Sequence, residues 1–316
     1  MQEKMTGERM RDIVGFALIV RGIIVIFCLF WLSEAVQAEE VSIQFRGITL
    51  NANLEQAQDK SITDGVILIT HGTLAHNGME IVSTLQQLIK GKGWNTIAIN
   101  LSLGIDNRHG MYDCAVPHTH KHEDAVAEIG AWLHWLKKKG VKKVILMGHS
   151  RGGNQIARFA SEQDDPAIKG VILIAPQTWD EDGLSINYRQ RYKKELQPIL
   201  KKAGDLVDAG KGGTMLTHTD FLYCENASVT AEAFASYYAH DKKMDTPFLL
   251  PSIKKPVLVI AAGKDNIVPD LEKKISPKAD GKKIQLVVVE MADHFFRDLS
   301  AEDLVDAITD FLKDKD

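Results

Sequence analysis

The sequence predicts an α/β protein: a mainly parallel sheet with helices on both faces and a helical segment inserted late in the chain. Short apolar runs alternate with amphipathic stretches, the order that builds parallel strands joined by crossover helices. The rhythm breaks once, over about eighty residues between Pro176 and Pro256, too long for a structureless loop inside a compact domain. The 316 residues are 45% apolar and 25% charged, which suits one large domain carrying an insertion. A net charge of −4 offers no basic surface for nucleic acid.

Residues 1–38 stand apart. Arg9, Arg11 and Arg21 precede the uncharged run "GIIVIFCLFWL" (22–32). "SEAVQA" follows, with Val36 and Ala38 in the small-residue pattern of a signal-peptidase site. This reads as a secretory signal cut after Ala38, giving an exported protein, periplasmic or secreted. The alternative is an uncleaved membrane anchor, the chain's one route to a membrane. Its apolar run is shorter than the ~20 residues a span needs, and Arg21 would then lie in hydrocarbon.

From residue 41 the elements follow in order. "VSIQF" and "ITLNANL" form a hairpin, and "GVILIT" (65–70) is a strand buried on both faces. "MEIVSTLQQLIK" (79–90) has helical spacing and ends at "GKG". "WNTIAINL" (94–101) is a strand, and "EDAVAEIGAWLHWLKKKG" (123–140) a long helix closed by Gly140. "KKVILMG", "GNQIARFASEQ" and "GVILIAP" (170–176) continue as strand, helix, strand. "PVLVIAAG" (256–263), "KIQLVVVE" (283–290) and the helix "AEDLVDAITDFLKD" complete the sheet. Residues 39–176 and 256–316 thus make the core. Residues 177–255, with helical patterns in "NYRQRYKKELQPILKKA" and "SVTAEAFASYYA", make a cap over the carboxyl edge of the sheet.

"VILMGHSRGGNQ" (144–155) carries the chemistry. "GHSRG" fits G-x-S-x-G, in which a strained turn lifts a serine clear of the sheet at the amino end of a helix. Side chains two residues either side of Ser150 would collide, so Gly148 and Gly152 are required. Gly153 lets the helix pack close.

A serine hydroxyl needs a base to take its proton. Of eleven histidines, His294 in "MADHFF" follows the last strand and fits best. A carboxylate must orient the ring, and Asp265 in "AAGKDNIVP" lies just past the preceding strand. Asp270 lies further from the strand end, and Asp293 is too close in sequence to turn onto the ring. An oxyanion needs two N–H donors: Arg151, after the serine, and Thr73 in "HGT" (71–73). Gly72 permits the turn there, and His71 braces the loop.

With "HGT", "GHSRGG", "GKDNIVP" and "ADHFF" in place, the chain resembles the α/β-hydrolase superfamily, in its serine-hydrolase branch with a helical cap. That branch includes esterase-like and serine aminopeptidase-like enzymes. The resemblance spans roughly residues 41–314. It implies a triad of Ser150, Asp265 and His294, with Thr73 and Arg151 as oxyanion donors. It implies hydrolysis of a small-molecule acyl substrate, an ester or thioester, through an acyl-serine, with no cofactor. A peptidase or amidase, or a non-catalytic binding protein on this fold, is the alternative. The chain departs from the family's usual turn at "NLSLGIDNRHG", a region that shapes the pocket.

The histidine-dense stretch "HGMYDCAVPHTHKHED" (109–124) reads as a polar rim loop at the carboxyl edge that contacts substrate. A metal on His118 and His120 lacks a second cluster with ligand spacing. Of the cap aromatics Trp179, Tyr188, Phe221, Tyr223, Phe234, Tyr237 and Tyr238, some line a pocket and most form the cap's own core. Cys114 and Cys224 both belong to segments that start from the same sheet edge, so a disulfide between them is expected if the chain is exported.

Overall fold

The structure, a computed structural model, describes residues 38–313. The expected signal or anchor and its cleavage site lie essentially outside the described residues. Among the described residues no helix is long and apolar enough to cross a membrane.

The described residues hold ten strands. β1 (Glu39–Phe45) and β2 (Ile48–Glu55) form an antiparallel hairpin whose turn residues, Arg46 and Gly47, have φ of 49° and 86°. That is the handedness a two-residue hairpin turn requires. β3 (Val66–Thr70), β4 (Asn95–Ile99), β5 (Val144–His149), β6 (Ile168–Ile174), β9 (Val257–Ala262) and β10 (Ile284–Val289) are parallel, and the sheet runs β1-β2-β4-β3-β5-β6-β9-β10. β2 joins β4 antiparallel.

The apolar runs divide by the two-residue period of a strand. Val66, Leu68, Val144, Leu146, Val171, Leu173, Val257 and Val259 enter one core. Ile67, Ile69, Ile145, Met147, Ile172, Ile174, Leu258 and Ile260 enter the other. The first core is covered by α2 (Asp124–Lys138), through Ile129, Trp132, Leu133 and Leu136, and by α3 (Arg151–Glu162), through Ile156 and Phe159. The second is covered by α1 (Glu80–Gly91), through Val82, Leu85 and Ile89, and by α8 (Leu299–Lys313), through Leu304, Ile308 and Phe311. A sheet buried on both faces leaves its carboxyl edge as the place where loops can carry chemistry.

The insertion differs from the helical cap expected over 177–255. It holds α4 (Glu181–Tyr192), α5 (Leu196–Asp208), α6 (Ala231–Tyr238) and α7 (Thr246–Leu249). It also holds an antiparallel hairpin, β7 (Met215–Phe221) with β8 (Cys224–Thr230). Leu216, Thr219 and Phe221 on one strand, with Ala227 and Val229 on the other, give the hairpin a buried face, so it pairs rather than coils. The expected helix over 187–203 is two helices, because Lys193 turns left-handed at φ 56° and ends α4. The helix expected from residue 228 starts at Ala231, where the Thr230 side chain accepts from the Ala233 N–H as its cap.

The cap aromatics do not form a separate core. Tyr188, Phe221, Phe234, Tyr237 and Tyr238 belong to the same apolar cluster as the sheet's first face. The His118 N–H donates to the Ser228 carbonyl at 2.8 Å, and the Thr230 N–H donates to the His118 carbonyl at 2.9 Å. The cap hairpin is thereby stitched to the 109–124 loop. Cys114 and Cys224 are disulfide-bonded, their Cα atoms 5.4 Å apart, within the range a disulfide spans.

Candidate active site

β5 ends at His149, and Ser150 follows with φ 56° and ψ −122°, a strained backbone for a residue with a Cβ. Its neighbours hold it. The Ser150 N–H donates to the Ile174 carbonyl at 2.9 Å, and its own carbonyl accepts from the N–H groups of Gly153 and Gln177, both at 3.0 Å. A Cβ on Gly148 would run into the main chain of Gly152, and one on Gly152 into the carbonyls of His71 and Thr70. Strand and helix meet too closely there for any side chain.

The loops after β9 and β10 are tied by the Lys264 N–H donating to the Ala292 carbonyl at 2.9 Å. This sets Asp265 beside His294. His294 Nδ1 lies 2.7 Å from Asp265 Oδ2, and His294 Nε2 lies 2.9 Å from Ser150 Oγ. An ionised carboxylate only accepts, so the proton is on Nδ1, and the Nε2 lone pair faces the serine hydroxyl. Burial pushes the Asp265 carboxyl up. Bonds from His294 and from the Val268 and Ile267 N–H groups outweigh that and hold it below the usual carboxylate range. Asp270 instead accepts from Thr178 Oγ1 at 2.7 Å and pairs with Lys274 at 2.8 Å. Asp293 accepts from the Phe295 N–H and from Arg297.

Arg151 is the first residue of α3, so its N–H has no carbonyl partner inside the helix. Its side chain crosses to the opposite loop, where Nε donates to Thr73 Oγ1 at 2.9 Å. Both predicted donor residues line the same cleft as Ser150 and His294. Gly72 does not supply the sharp turn, since the left-handed residue of that loop is Leu74 at φ 54°. Gly72 instead lets the loop lie close to the nucleophile: a Cβ there would lie 3.3 Å from that of Ser150, and the neighbours would have to give by a few tenths of an ångström.

His71 braces this loop. Its Nδ1–H donates to the Gly72 carbonyl at 2.9 Å, and its Nε2 accepts from the Leu101 N–H at 3.0 Å. Burial lowers its pKa to about 3, so it stays neutral. Two residues that sequence reasoning missed complete the frame. Arg108 donates to the carbonyls of Leu101 and Ala75, both at 2.8 Å, and of Gly110 at 2.5 Å, joining the loop after β4 to the loop after β3. Only its place in "NRHG", the stretch that departs from the family turn, hinted at a role. His149 donates from Nε2 to the His294 carbonyl at 2.9 Å and packs its ring against the His294 ring at 4.9 Å.

The cleft above Ser150 measures about 780 Å³. Met79, Ile81, Val82 and Phe295 line it from the core, and Leu184, Tyr188, Tyr192, Leu222, Tyr223 and Tyr238 from the cap. Of the histidine-rich loop only Met111 reaches it. His118, His120 and His122 are buried under the cap rather than placed on a rim. His118 Nδ1 lies 3.2 Å from His120 Nε2, and His120 Nδ1 lies 2.8 Å from the Tyr237 hydroxyl. The cap hairpin covers them, which sequence spacing did not reveal. Among the described residues no group of three or more His, Cys, Asp or Glu could hold a metal ion.

Fold and site together define an α/β hydrolase. Residues 65–299 match the model of the alpha/beta hydrolase fold, and the chain belongs to that family. It is 26% identical over 216 residues to Phospholipase YtpA of Bacillus subtilis, covering 64% of this chain and 76% of that protein. Est1E of Butyrivibrio proteoclasticus, solved with ferulic acid bound, superposes with a TM-score of 0.63 at 19% identity, covering 87% of this chain and 98% of that one. The Pyrococcus furiosus esterase Pf2001 superposes with a TM-score of 0.60 at 16% identity, covering 88% and 91%. At these identities the two structures show a shared fold.

Proposed function

We propose that this chain is a serine hydrolase that cleaves carboxylic esters. The observation that carries the reading is the His294 ring, held between Ser150 Oγ at 2.9 Å and Asp265 Oδ2 at 2.7 Å. Ser150 Oγ attacks the ester carbonyl carbon while its proton passes to His294 Nε2. Asp265 stabilises the imidazolium that forms. The Thr73 and Arg151 N–H groups receive the oxyanion. Collapse breaks the carbon–oxygen bond to the alcohol, which leaves with the proton from Nε2. Water then repeats the sequence on the acyl-serine and releases the acid. The esterase and phospholipase names of the relatives support an ester substrate, as does a cleft with apolar walls. The Cys114–Cys224 disulfide supports the exported location expected from residues 1–38.

The test is hydrolysis of 4-nitrophenyl esters of increasing chain length by the purified protein. Ser150→Ala is expected to lose ~10⁴-fold or more in kcat, the scale of removing a triad member. Undiminished turnover in that variant would remove Ser150 from the chemistry.

A further inference from the structure

We propose that the Arg151 guanidinium binds an anionic group, a carboxylate or a phosphate, carried by the ester substrate. This rests on the esterase reading above and names its substrate class.

The side chain of Arg151 is incompletely partnered. Nε donates to a neutral hydroxyl, Thr73 Oγ1. The guanidinium lies 5.0 Å from the Tyr237 ring centroid. Nη1 is buried with no hydrogen-bond partner. Among the described residues no carboxylate pairs with this arginine. The neighbouring arginines differ. Arg158, on the same helix, pairs with Glu162 and Asp241. Arg108 donates to a set of loop carbonyls and to Asn100. Arg151 is only partly buried and stands in the cleft wall, so a guanidinium that keeps its charge and holds no carboxylate can take an anion from the cleft side.

The cleft has the matching charge. Its described lining residues include no Asp or Glu. Arg191 lines it from the cap, its guanidinium 4.7 Å from the Tyr223 ring centroid. Asp265, the carboxylate beside His294, is engaged by His294 and by the Ile267 and Val268 N–H groups. An anion entering the cleft therefore meets two cations and no competing acid. Arg151 is adjacent in sequence to the nucleophile, so the anion sits a short spacer from the scissile carbonyl. Half-esters of dicarboxylic acids and esters of phosphate-bearing alcohols both satisfy this.

Two matched pairs separate the sources. The acyl-side pair is the 4-nitrophenyl monoester of glutaric acid against 4-nitrophenyl pentanoate. The alcohol-side pair is glycerol-phosphate monobutyrate against glycerol monobutyrate. The readout is the ratio of kcat/KM, anionic over neutral, within each protein. The expected ratio is about tenfold or more in at least one pair, the scale of a charge-assisted hydrogen bond. Arg151→Met is expected to bring that ratio to about one, and Arg151→Lys to retain part of it. Because the ratio is internal to each variant, a general loss of activity cancels. Calorimetric binding of glutarate and of glutaramide to the Ser150→Ala protein tests the site without turnover, and only glutarate is expected to bind. Equal hydrolysis within both pairs by the unaltered protein, or an undiminished ratio in Arg151→Met, overturns the proposal while leaving the esterase reading intact. Failure to hydrolyse any of the four esters removes the esterase reading itself.

Discussion

Removing the Cys114–Cys224 bond, by Cys114→Ala combined with Cys224→Ala, tests how the cap is held. The cysteines are 110 residues apart. In the chain-entropy model, freeing a loop of that size from the unfolded ensemble costs about 4.8 kcal/mol of stability. That is a large share of the 5–15 kcal/mol typical of a folded domain. The native cap keeps its other attachments, since the main-chain bonds between His118 and the Ser228–Thr230 segment remain. The variant is therefore expected to fold and to unfold earlier. Urea unfolding of the oxidised protein, of the variant, and of the protein in dithiothreitol measures the difference. The variant and the reduced protein are expected to agree with each other and to fall about 4–5 kcal/mol below the oxidised form. A difference under about 1 kcal/mol, or no response to dithiothreitol, would refute the reasoning.

Acid is expected to destabilise the protein steeply. Burial lowers the pKa of His71, His120 and His149 to about 3 and of His118 to about 4, and it lowers that of His122 well below the ordinary value. The unfolded chain binds these protons near ~6.5, so their contribution is complete above that pH and is lost as the pH falls toward the folded values. Each histidine adds a slope of about 1.4 kcal/mol per pH unit within that window. A urea midpoint that stays flat from about pH 6 to about pH 4.5 contradicts this. Gly152→Ala drives a methyl group into the His71 and Thr70 carbonyls, so a loss of about 3 kcal/mol and of ester turnover is expected, read as Tm and rate. A Tm within about 2 °C of the unaltered protein would mean that the elbow can open to admit a side chain.

Much of the sheet was legible because its strands are buried on both faces. "VILIT", "VILMG" and "VLVIAA" are continuous apolar runs with one plausible fate. Ser150, Asp265 and His294 stood out because each follows directly on such a run, at the edge where loops gather. The cap hairpin was obscured by its composition. "MLTHTDF" and "CENASVT" mix charged, polar and β-branched residues, and only the contact with the sheet's first core gives them a buried face. His118, His120 and His122 resembled an exposed loop because polar residues normally stay at the surface. The hairpin and α6 bury them, a contact between segments about a hundred residues apart. Arg108 was only faintly marked for a related reason. Its partners are mainly carbonyls of two loops, and main-chain groups leave no mark on a sequence.

The account turns on Ser150 being a nucleophile activated by His294. A fluorophosphonate probe with peptide mapping by mass measures this directly. The predicted result is one phosphonyl adduct per chain, on the peptide containing Ser150, with labelling slowed ~10³-fold or more in His294→Ala. An adduct on another residue, no adduct, or labelling of Ser150 at an unchanged rate in His294→Ala would contradict it.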